Sequence, residues 1–220
     1  MNNRQAYDTE LSELSYSLIR MGAMAQSAID RAIAALNTGD KALARQVIEE
    51  DNQIDDLDRG IEQRCLRLLL KQQPVAGDLR KISAAIKMIT DIERIGDSAA
   101  DIAEISLQLN DPVPPDVAAD IEAMTAAARS MVEGAIDAYV KGDVELARRT
   151  RNKDDIVDDY FIKIRTALGQ RMHADTAAMD EVIDYLLIIK YLERIGDHAE
   201  NICDWVEFYK TGIHKNERII

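Results

Sequence analysis

Acidic residues recur at spacings of three and four in two segments of the chain, one at 93–104 and the other at 193–204. Side chains at these spacings are neighbours on the surface of an α-helix, because positions four apart differ by only about 40° around the axis. Each segment is therefore expected to form a helix with a stripe of carboxylates on one face. The first stripe consists of Glu93, Asp97, Asp101 and Glu104, and the second of Glu193, Asp197, Glu200 and Asp204.

Stripes of like charge need a compensating partner. Carboxylates four residues apart destabilise a helix by about 0.2–0.5 kcal/mol per pair, and one divalent cation would neutralise two of them. More acids precede each stripe, on what we expect to be the preceding helix, so four or more carboxylates would meet where two such helices pack. These preceding acids are Asp51, Asp55, Asp58 and Glu62 in the first half of the chain, and Asp154 and Asp158 in the second.

Oxygen-only ligation is typical of hard cations such as Mg²⁺, Ca²⁺, Mn²⁺ and iron. The sequence therefore predicts two carboxylate-rich sites for a divalent metal or iron, with Mg, Mn, Fe and Zn all as candidates. A solvent-exposed acidic face is the simpler interpretation of any single stripe. The pairing of stripes on neighbouring helices, in both halves of the chain, favours the metal sites.

The two halves are copies of one unit. The pentapeptide Glu-Arg-Ile-Gly-Asp occurs at 93–97 and again at 193–197, an offset of 100 residues, and two upstream segments match at an offset of 103. Each copy has a glycine in mid-helix, Gly96 or Gly196, where glycine costs about 1 kcal/mol relative to alanine. We interpret this glycine as a place where a second helix, or its carboxylates, approaches the backbone closely.

Apolar periodicity and helix-breaking residues divide each copy into three helices. The fold is predicted to be all-α, with six long helices in a tandem repeat of two pseudo-symmetric three-helix bundles placed end to end. The first bundle spans 1–110 and the second 116–212, and the Pro-rich segment 111–115 is a stiff linker that no helix could cross. The helices are expected at about 10–36, 40–71 and 78–110, and at about 116–140, 143–168 and 176–209, with Asp40 as a helix cap.

Charge and hydropathy exclude several classes of partner. The net charge of −13 gives no general attraction to nucleic acid or to anionic lipid. No run of 18 apolar residues occurs, so we expect no direct membrane insertion. The N-terminus lacks an apolar signal region, and Cys65 and Cys203 are interpreted as ordinary thiols. These features predict a cytoplasmic protein.

The sequence contains no recognisable catalytic constellation. It has neither a phosphate-binding Gly-x-x-x-x-Gly-Lys-Ser/Thr loop nor a Gly-x-Ser-x-Gly nucleophile elbow. A di-iron carboxylate enzyme would need Glu-x-x-His pairs, and none of the three histidines lies three residues after a glutamate. His198 is interpreted as a surface residue, although it follows Asp197 and is a candidate peripheral ligand. We therefore predict that the protein is not an enzyme, and keep the di-iron enzyme as the remote alternative.

The doubled pattern Glu-Arg-Ile-Gly-Asp-x-Ala-x-Asn/Asp-Ile, at 93–102 and 193–202, resembles the third-helix signature of the PhoU family of phosphate-signalling regulators. The segment Gln-Gln-Pro-Val-Ala-Gly-Asp-Leu-Arg at 72–80 also resembles the first repeat of that family. The similarity covers about residues 10–210. The resemblance implies two three-helix bundles that bind metal ions through Glu/Asp-x-x-x-Asp pairs. Carried over to this chain, the pairs are Asp51/Asp55 with Glu93/Asp97 and Asp154/Asp158 with Glu193/Asp197, and Asp101 stands where the second copy has the family's usual Asn201 and adds an anionic ligand.

The resemblance also implies a function. Members of the family are negative regulators of the phosphate-starvation response, and they connect the ATPase subunit of the phosphate ABC transporter with a phosphate-sensing histidine kinase. An accessory protein of another phosphate or metal transporter is the main alternative, since it would have similar helices. Long amphipathic helices often leave apolar surface for a partner, so we also expect a homodimer.

Overall fold

The computed structural model describes residues 3–71, 74, 76–110, 113–215 and 217–218, and nearly all of them are helical. The predicted all-α fold and its tandem repeat are confirmed. After the last helix, two short strands form an antiparallel hairpin. The helices are α1 (Asn3–Thr38), α2 (Lys41–Lys71), α3 (Ala76–Gln108), α4 (Pro115–Lys141), α5 (Val144–Arg151), α6 (Asp154–Ala174) and α7 (Met179–Thr211), with a 3₁₀ turn at Thr176–Ala178 and the strands β1 (Ile213–His214) and β2 (Glu217–Arg218).

The first helix of each copy ends with the same device. Gly39 and Gly142 have φ values of +65° and +61°, in the left-handed region that glycine adopts most easily. The next residue then caps the following helix: Asp40 Oδ1 accepts from the backbone N–H of Leu43, and Asp143 Oδ1 accepts from that of Leu146. The predicted cap at Asp40 is confirmed, and its pseudo-symmetric counterpart follows the same rule.

The second helix of the second copy is not the single helix predicted at 143–168. It is interrupted at Asn152 and Lys153, which separate α5 from α6. The N–H of Lys153 bonds to the carbonyl three residues before it, at 3.0 Å, so the chain tightens there instead of continuing the helix. Asn152 is a poor helix former, and Asp154 and Asp155 are more favourable in the first turn of a new helix, whose positive end faces them.

Two proline-containing segments are only partly described. Residues 111 and 112 of the predicted linker lie outside the described residues, and so do 72, 73 and 75 of the family-like segment. Val113 and Pro114 are not helical, whereas Pro115 opens α4. A proline is tolerated at the first position of a helix because its missing N–H would have no partner there.

The two bundles pack side by side, so the predicted end-to-end arrangement is wrong. The most extensive contact between any two helices is that of α3 with α7, and α1 also contacts α4. The two third helices run antiparallel, since Arg80 Nε near the start of α3 donates to the carbonyl of Tyr209 near the end of α7, at 3.2 Å. Buried residues of both copies form one continuous core. A helix with apolar residues on several faces belongs in the interior, which is where α3 and α7 lie.

Among the described residues, no helix is both long enough and apolar enough to cross a membrane.

Candidate metal centre

The packing of α2 against α3 gathers the acids of the first copy. Asp51 and Asp55 on α2 and Asp97 on α3 each bring one carboxylate oxygen to within 4.8 Å of the other two. Glu93 lies one turn before Asp97, and its charge also acts on Asp51. We refer to Asp51, Asp55, Glu93 and Asp97 as the first carboxylate site.

Burial and mutual repulsion characterise this site. The pKa of Asp51 is raised from 3.8 to about 6, chiefly by burial and then by the charges of Asp97 and Asp55. Burial, followed by Asp97, also raises the pKa of Glu93. Carboxylates that are half-buried and uncompensated are unfavourable at neutral pH, and the charge of a bound cation would oppose the rise in their pKa values.

Only limited compensation comes from the protein itself. Arg94 Nη1 donates to Asp97 Oδ2 at 2.8 Å. Arg94 Nε lies 3.2 Å from Glu93 Oε2, but this buried oxygen accepts no hydrogen bond. Within the described part of the chain, Arg94 is the one cation that forms an ion pair with the first carboxylate site. The site therefore carries four carboxylates against one guanidinium.

The doubled glycine lets the two helices meet. A Cβ atom on Gly96 would lie 2.9 Å from Asp51 Oδ1 and 2.8 Å from Ile54 Cδ1, both closer than real contacts allow. A Cβ on Gly196 would likewise lie 3.0 Å from Asp154 Oδ1. The glycines stand where a carboxylate of the preceding helix touches the backbone, as the repeat suggested.

The second copy repeats this arrangement in a looser form. We refer to Asp154 and Asp158 on α6 with Glu193 and Asp197 on α7 as the second carboxylate site. The pKa of Asp154 is raised to about 7, by burial first and then by Glu200, Asp158 and Asp197. In the described residues, however, no three acids of this site approach one another as closely as those of the first.

A lysine accounts for part of this difference. The Nζ of Lys190 contacts Glu193 Oε2 one turn away on the same helix. Its charge also opposes the effects of burial and of neighbouring carboxylates on the pKa of Asp158 and Asp197. The second carboxylate site thus contains an internal ammonium group that a bound cation would have to displace.

Asp101 lies toward α7. Tyr191 and Asp101 share a hydrogen bond, which together with Arg194 lowers the pKa of Asp101, while burial raises it more strongly. The charge of Asp101 still raises the pKa of Asp51, but by less than the charges of the other three acids. Its predicted role as an additional ligand therefore competes with a contact between the two copies.

His198 takes part in the corresponding contact on the other side of this interface. Its Nδ1 lies 2.9 Å from Asp91 Oδ1, and Asn201 Nδ2 donates to the same oxygen at 3.4 Å. His198 is partly buried between α3 and α7, so its interpretation as a surface residue is wrong. The doubled motif supplies contacts between the copies as well as carboxylates.

Two acids outside the predicted ligand set also belong to these clusters. Asp58 Oδ1 is buried without a hydrogen bond, and Asp58 acts on the pKa of Glu93. Glu200 is the largest charge acting on Asp154. Both lie in the acid stripes seen in the sequence, and Asp58 is one turn beyond Asp55, so the spacing that predicted their neighbours also indicated them.

The residues present fit a hard cation. The donors of both sites are all carboxylate oxygens, and several have no cation beside them. The acids of the first carboxylate site are partly buried, whereas Asp158 and Asp197 of the second are exposed. Oxygen donors of this kind suit Mg²⁺, Mn²⁺ or iron better than zinc, whose protein sites favour nitrogen and sulfur. Such an ion would supply positive charge and hold α2 against α3, or α6 against α7.

A family model of the PhoU domain matches the chain twice, at residues 18–106 and 121–206. A relative from Clostridium acetobutylicum, a phosphate-specific transport system accessory protein PhoU homolog, is 37% identical over 95% of this chain and 96% of its own length. A relative of the same name from Pseudomonas aeruginosa is 34% identical over 94% of this chain and 86% of its own.

Solved structures show the same fold. The crystal structure of PhoU from Pseudomonas aeruginosa superposes with a TM-score of 0.89 at 33% identity and covers 94% of this chain and 100% of that one. That of the phosphate transport system regulatory protein PhoU from Streptococcus pneumoniae gives 0.88 at 29% identity, over 94% and 98% of the two chains. The similarity therefore includes both copies of the repeat.

Proposed function

The chain belongs to the PhoU family, and on that premise we propose that it is an accessory and regulatory protein of a phosphate-specific transport system. The single observation that carries this proposal is the alignment with relatives named as such accessory proteins over nearly the full length of both chains. A match confined to one helical bundle would support a shared fold alone. Here both bundles and both carboxylate sites lie inside the matched residues.

In finer terms, the protein is a cytoplasmic, metal-binding negative regulator of the phosphate-starvation response. It connects the ATPase subunit of the phosphate ABC transporter with the phosphate-sensing histidine kinase and holds the kinase away from its phosphorylating state when phosphate is plentiful. Binding rather than catalysis is the activity proposed. The carboxylate sites support the metal-binding part, because their uncompensated acids lie at the junction of two helices that a cation would brace.

The proposal includes a homodimer. Large apolar side chains remain exposed on the second copy, among them Ile162 on α6, which is 51% exposed, and Ile183 on α7, which is 46% exposed. Apolar side chains at the surface are available to a second copy of the chain. Sedimentation analysis of the purified protein tests this state directly.

The regulatory role is tested by deleting the gene and measuring a phosphate-repressed reporter in surplus phosphate. We expect the reporter to be expressed in the deletion strain and silent after complementation with the intact gene. Unchanged expression in the deletion strain would contradict the regulatory role. A chain that served a different transporter would leave the reporter silent and would co-purify with another ATPase subunit.

The metal-binding part is tested in the same strain with matched variants. Complementation with Asp51→Asn/Asp97→Asn should restore repression only partly, because the substitution removes two carboxylates from the first carboxylate site. The control is Glu122→Gln/Glu133→Gln, which removes two exposed carboxylates on α4, outside the two sites, and should complement fully. Equal complementation by both variants would separate the regulatory role from metal binding.

A further inference from the structure

A second kind of site lies at the end of the molecule where α3 begins and α7 ends. It is a cavity of about 280 Å³ that is open to solvent. Since one water molecule occupies about 30 Å³ in the liquid, the cavity has room for a small anion with part of its hydration shell. We refer to it as the basic pocket, and its lining residues are Gly77, Asp78, Arg80, Lys81, Tyr209 and Lys210.

Positive charge is concentrated in the basic pocket, although the whole chain has a net charge of −13. Three of the six lining residues are cations, and Asp78 is the one carboxylate among them. Within the described residues, Lys81 and Lys210 form no ion pair or hydrogen bond, and the Nζ of Lys210 lies 5.1 Å from the centre of the Tyr209 ring. Arg94 on the same helix offers a contrast, since it is paired with acids.

The charged form of Lys81 is destabilised by its surroundings. It is partly buried, and burial lowers the pKa of its ammonium group. The charge of Asp78 opposes this effect only in part, and the charge of Lys210 lowers the pKa by a smaller amount. Two ammonium groups that repel each other in a shared cavity would both be stabilised by an anion placed between them.

Helix capping explains part of this cluster but not Lys81. Arg80 Nε bonds to the carbonyl of Tyr209 near the end of α7, at 3.2 Å. The Nζ of Lys210 lies beside Gly142 at the end of α4, where a Cβ would come within 2.5 Å of it. Cations are favourable at the C-terminal ends of both α4 and α7. Lys81, however, lies in the second turn of α3, far from any C-terminal carbonyl of that helix.

The backbone adds to the positive potential. Gly77 and Asp78 are in the first turn of α3, where the N–H groups have no partner within the helix and the helix dipole is positive. Gly77 and Asp78 line the same cavity as Arg80, Lys81 and Lys210. This combination of backbone N–H groups with lysine and arginine is the chemistry that recognises phosphate-type anions.

We propose that the basic pocket binds a phosphate-type oxyanion, either free inorganic phosphate or the phosphate group of a small phosphate ester, through Lys81, Lys210 and the first turn of α3. This site is separate from the carboxylate sites in charge and in place. It stands independently of the proposed regulatory role, since it is measured on the purified protein alone. If both hold, the pocket would let the phosphate supply act directly on this protein.

The test is calorimetric titration of the purified, chelator-treated protein with inorganic phosphate, and separately with adenosine monophosphate. Removal of metal matters because phosphate could otherwise bind a cation held by the carboxylates, and Asp51→Asn/Asp97→Asn should therefore bind the anion as well as the intact protein does. We expect Lys81→Gln and Lys210→Gln each to weaken binding by about tenfold, the loss of one charge-assisted hydrogen bond. The matched control is Lys87→Gln, which removes an exposed charge elsewhere on α3.

A change in the opposite direction guards against simple unfolding. Asp78→Asn removes the carboxylate that opposes the anion, so it should strengthen binding several-fold while the melting temperatures of all variants are compared. Binding of the ester but not of free phosphate would support the site and identify its ligand class. Absence of binding for both anions at millimolar concentration, or equal binding by Lys81→Gln and Lys87→Gln, would overturn the proposal. If the basic pocket binds neither anion, an acidic segment of a partner protein would be the remaining candidate ligand.

Discussion

At the scale of single residues, the carboxylate sites depend on the lack of a side chain at Gly96 and Gly196 as much as on the acids. Each glycine lies in the middle of a long helix, where alanine would be favoured by about 1 kcal/mol. Each also touches a carboxylate of the preceding helix, at Asp51 or Asp154. Close approach of the helices therefore outweighs helix propensity at these two positions.

Replacement of this glycine tests that balance. Gly96→Ala should lower the free energy of unfolding by about 1–3 kcal/mol, because the added Cβ overlaps Asp51 and Ile54. The matched control is Gly60→Ala on α2, which faces open space and should raise stability by about 0.5–1 kcal/mol. Urea denaturation in the presence of a chelator measures both. A Gly96→Ala protein as stable as Gly60→Ala would refute the close approach.

The acids themselves predict an unusual dependence of stability on pH. The pKa values of Asp51 and Asp154 are raised from 3.8 to about 6 and about 7, mainly by burial. At a pH between the ordinary and the raised pKa of each carboxyl group, the folded protein keeps a proton that the unfolded chain has released. The free energy of unfolding should therefore fall as pH rises. In metal-free protein, Asp51→Asn/Asp154→Asn should reduce this fall, because an amide does not ionise.

Urea denaturation at about pH 5 and about pH 7.5 tests this sign. The control variant Glu133→Gln changes an exposed acid on α4 and should keep the slope of the intact protein. Equal slopes for all three proteins would mean that the two acids are not perturbed in the folded state. Addition of a divalent cation should restore stability chiefly at the higher pH, where the carboxylates are ionised.

The sequence predicts where the acids of the site lie, but not all of the contacts that they make. Spacing placed Asp51, Asp55 and Asp97 correctly on facing helices, because the positions of side chains around a helix follow from its geometry. Spacing could not show that Lys190 contacts Glu193 or that Asp101 shares a hydrogen bond with Tyr191. Those contacts depend on side-chain rotamers and on how the copies dock, and neither is periodic in the sequence.

At the scale of the elements, the two copies differ most in their second helices. α2 is continuous, whereas the corresponding part of the second copy is divided into α5 and α6 at Asn152 and Lys153. The acid pair Asp154 and Asp155 thus lies in the first turn of a helix and not in its interior. Neither glycine nor proline occurs at this position, so helix-breaking residues could not reveal the interruption.

This interruption predicts a difference in backbone protection. Amide groups at the start of a helix lack partners within it, so those of Asp154 and Asp155 in the first turn of α6 should exchange with solvent faster than those of Asp51 and Asn52, the corresponding positions of α2. Hydrogen-exchange mass spectrometry with overlapping peptides measures both turns in one protein. Equal protection would indicate that α5 and α6 behave as one continuous helix in solution.

At the scale of the whole molecule, the two bundles share one core because α3 and α7 pack against each other. Periodicity showed that each third helix has apolar residues, but not which of its faces would meet the other copy. The antiparallel packing places Asp91 against His198 and Asp101 against Tyr191. The helices that carry the two carboxylate sites, α3 and α7, therefore meet in a single interface.

The two carboxylate sites are the proposed metal-binding sites of the molecule. The most direct test is elemental analysis of the purified protein after chelation and incubation with Mg, Mn, Fe or Zn, beside Asp51→Asn/Asp97→Asn and Asp154→Asn/Asp197→Asn. We predict stoichiometric metal in the intact protein. The first variant should lose the more tightly bound metal of the first carboxylate site, and the second variant should lose the metal of the second carboxylate site. Metal-free intact protein after every incubation, with unchanged circular dichroism, would contradict the claim and leave the acids as an uncompensated surface.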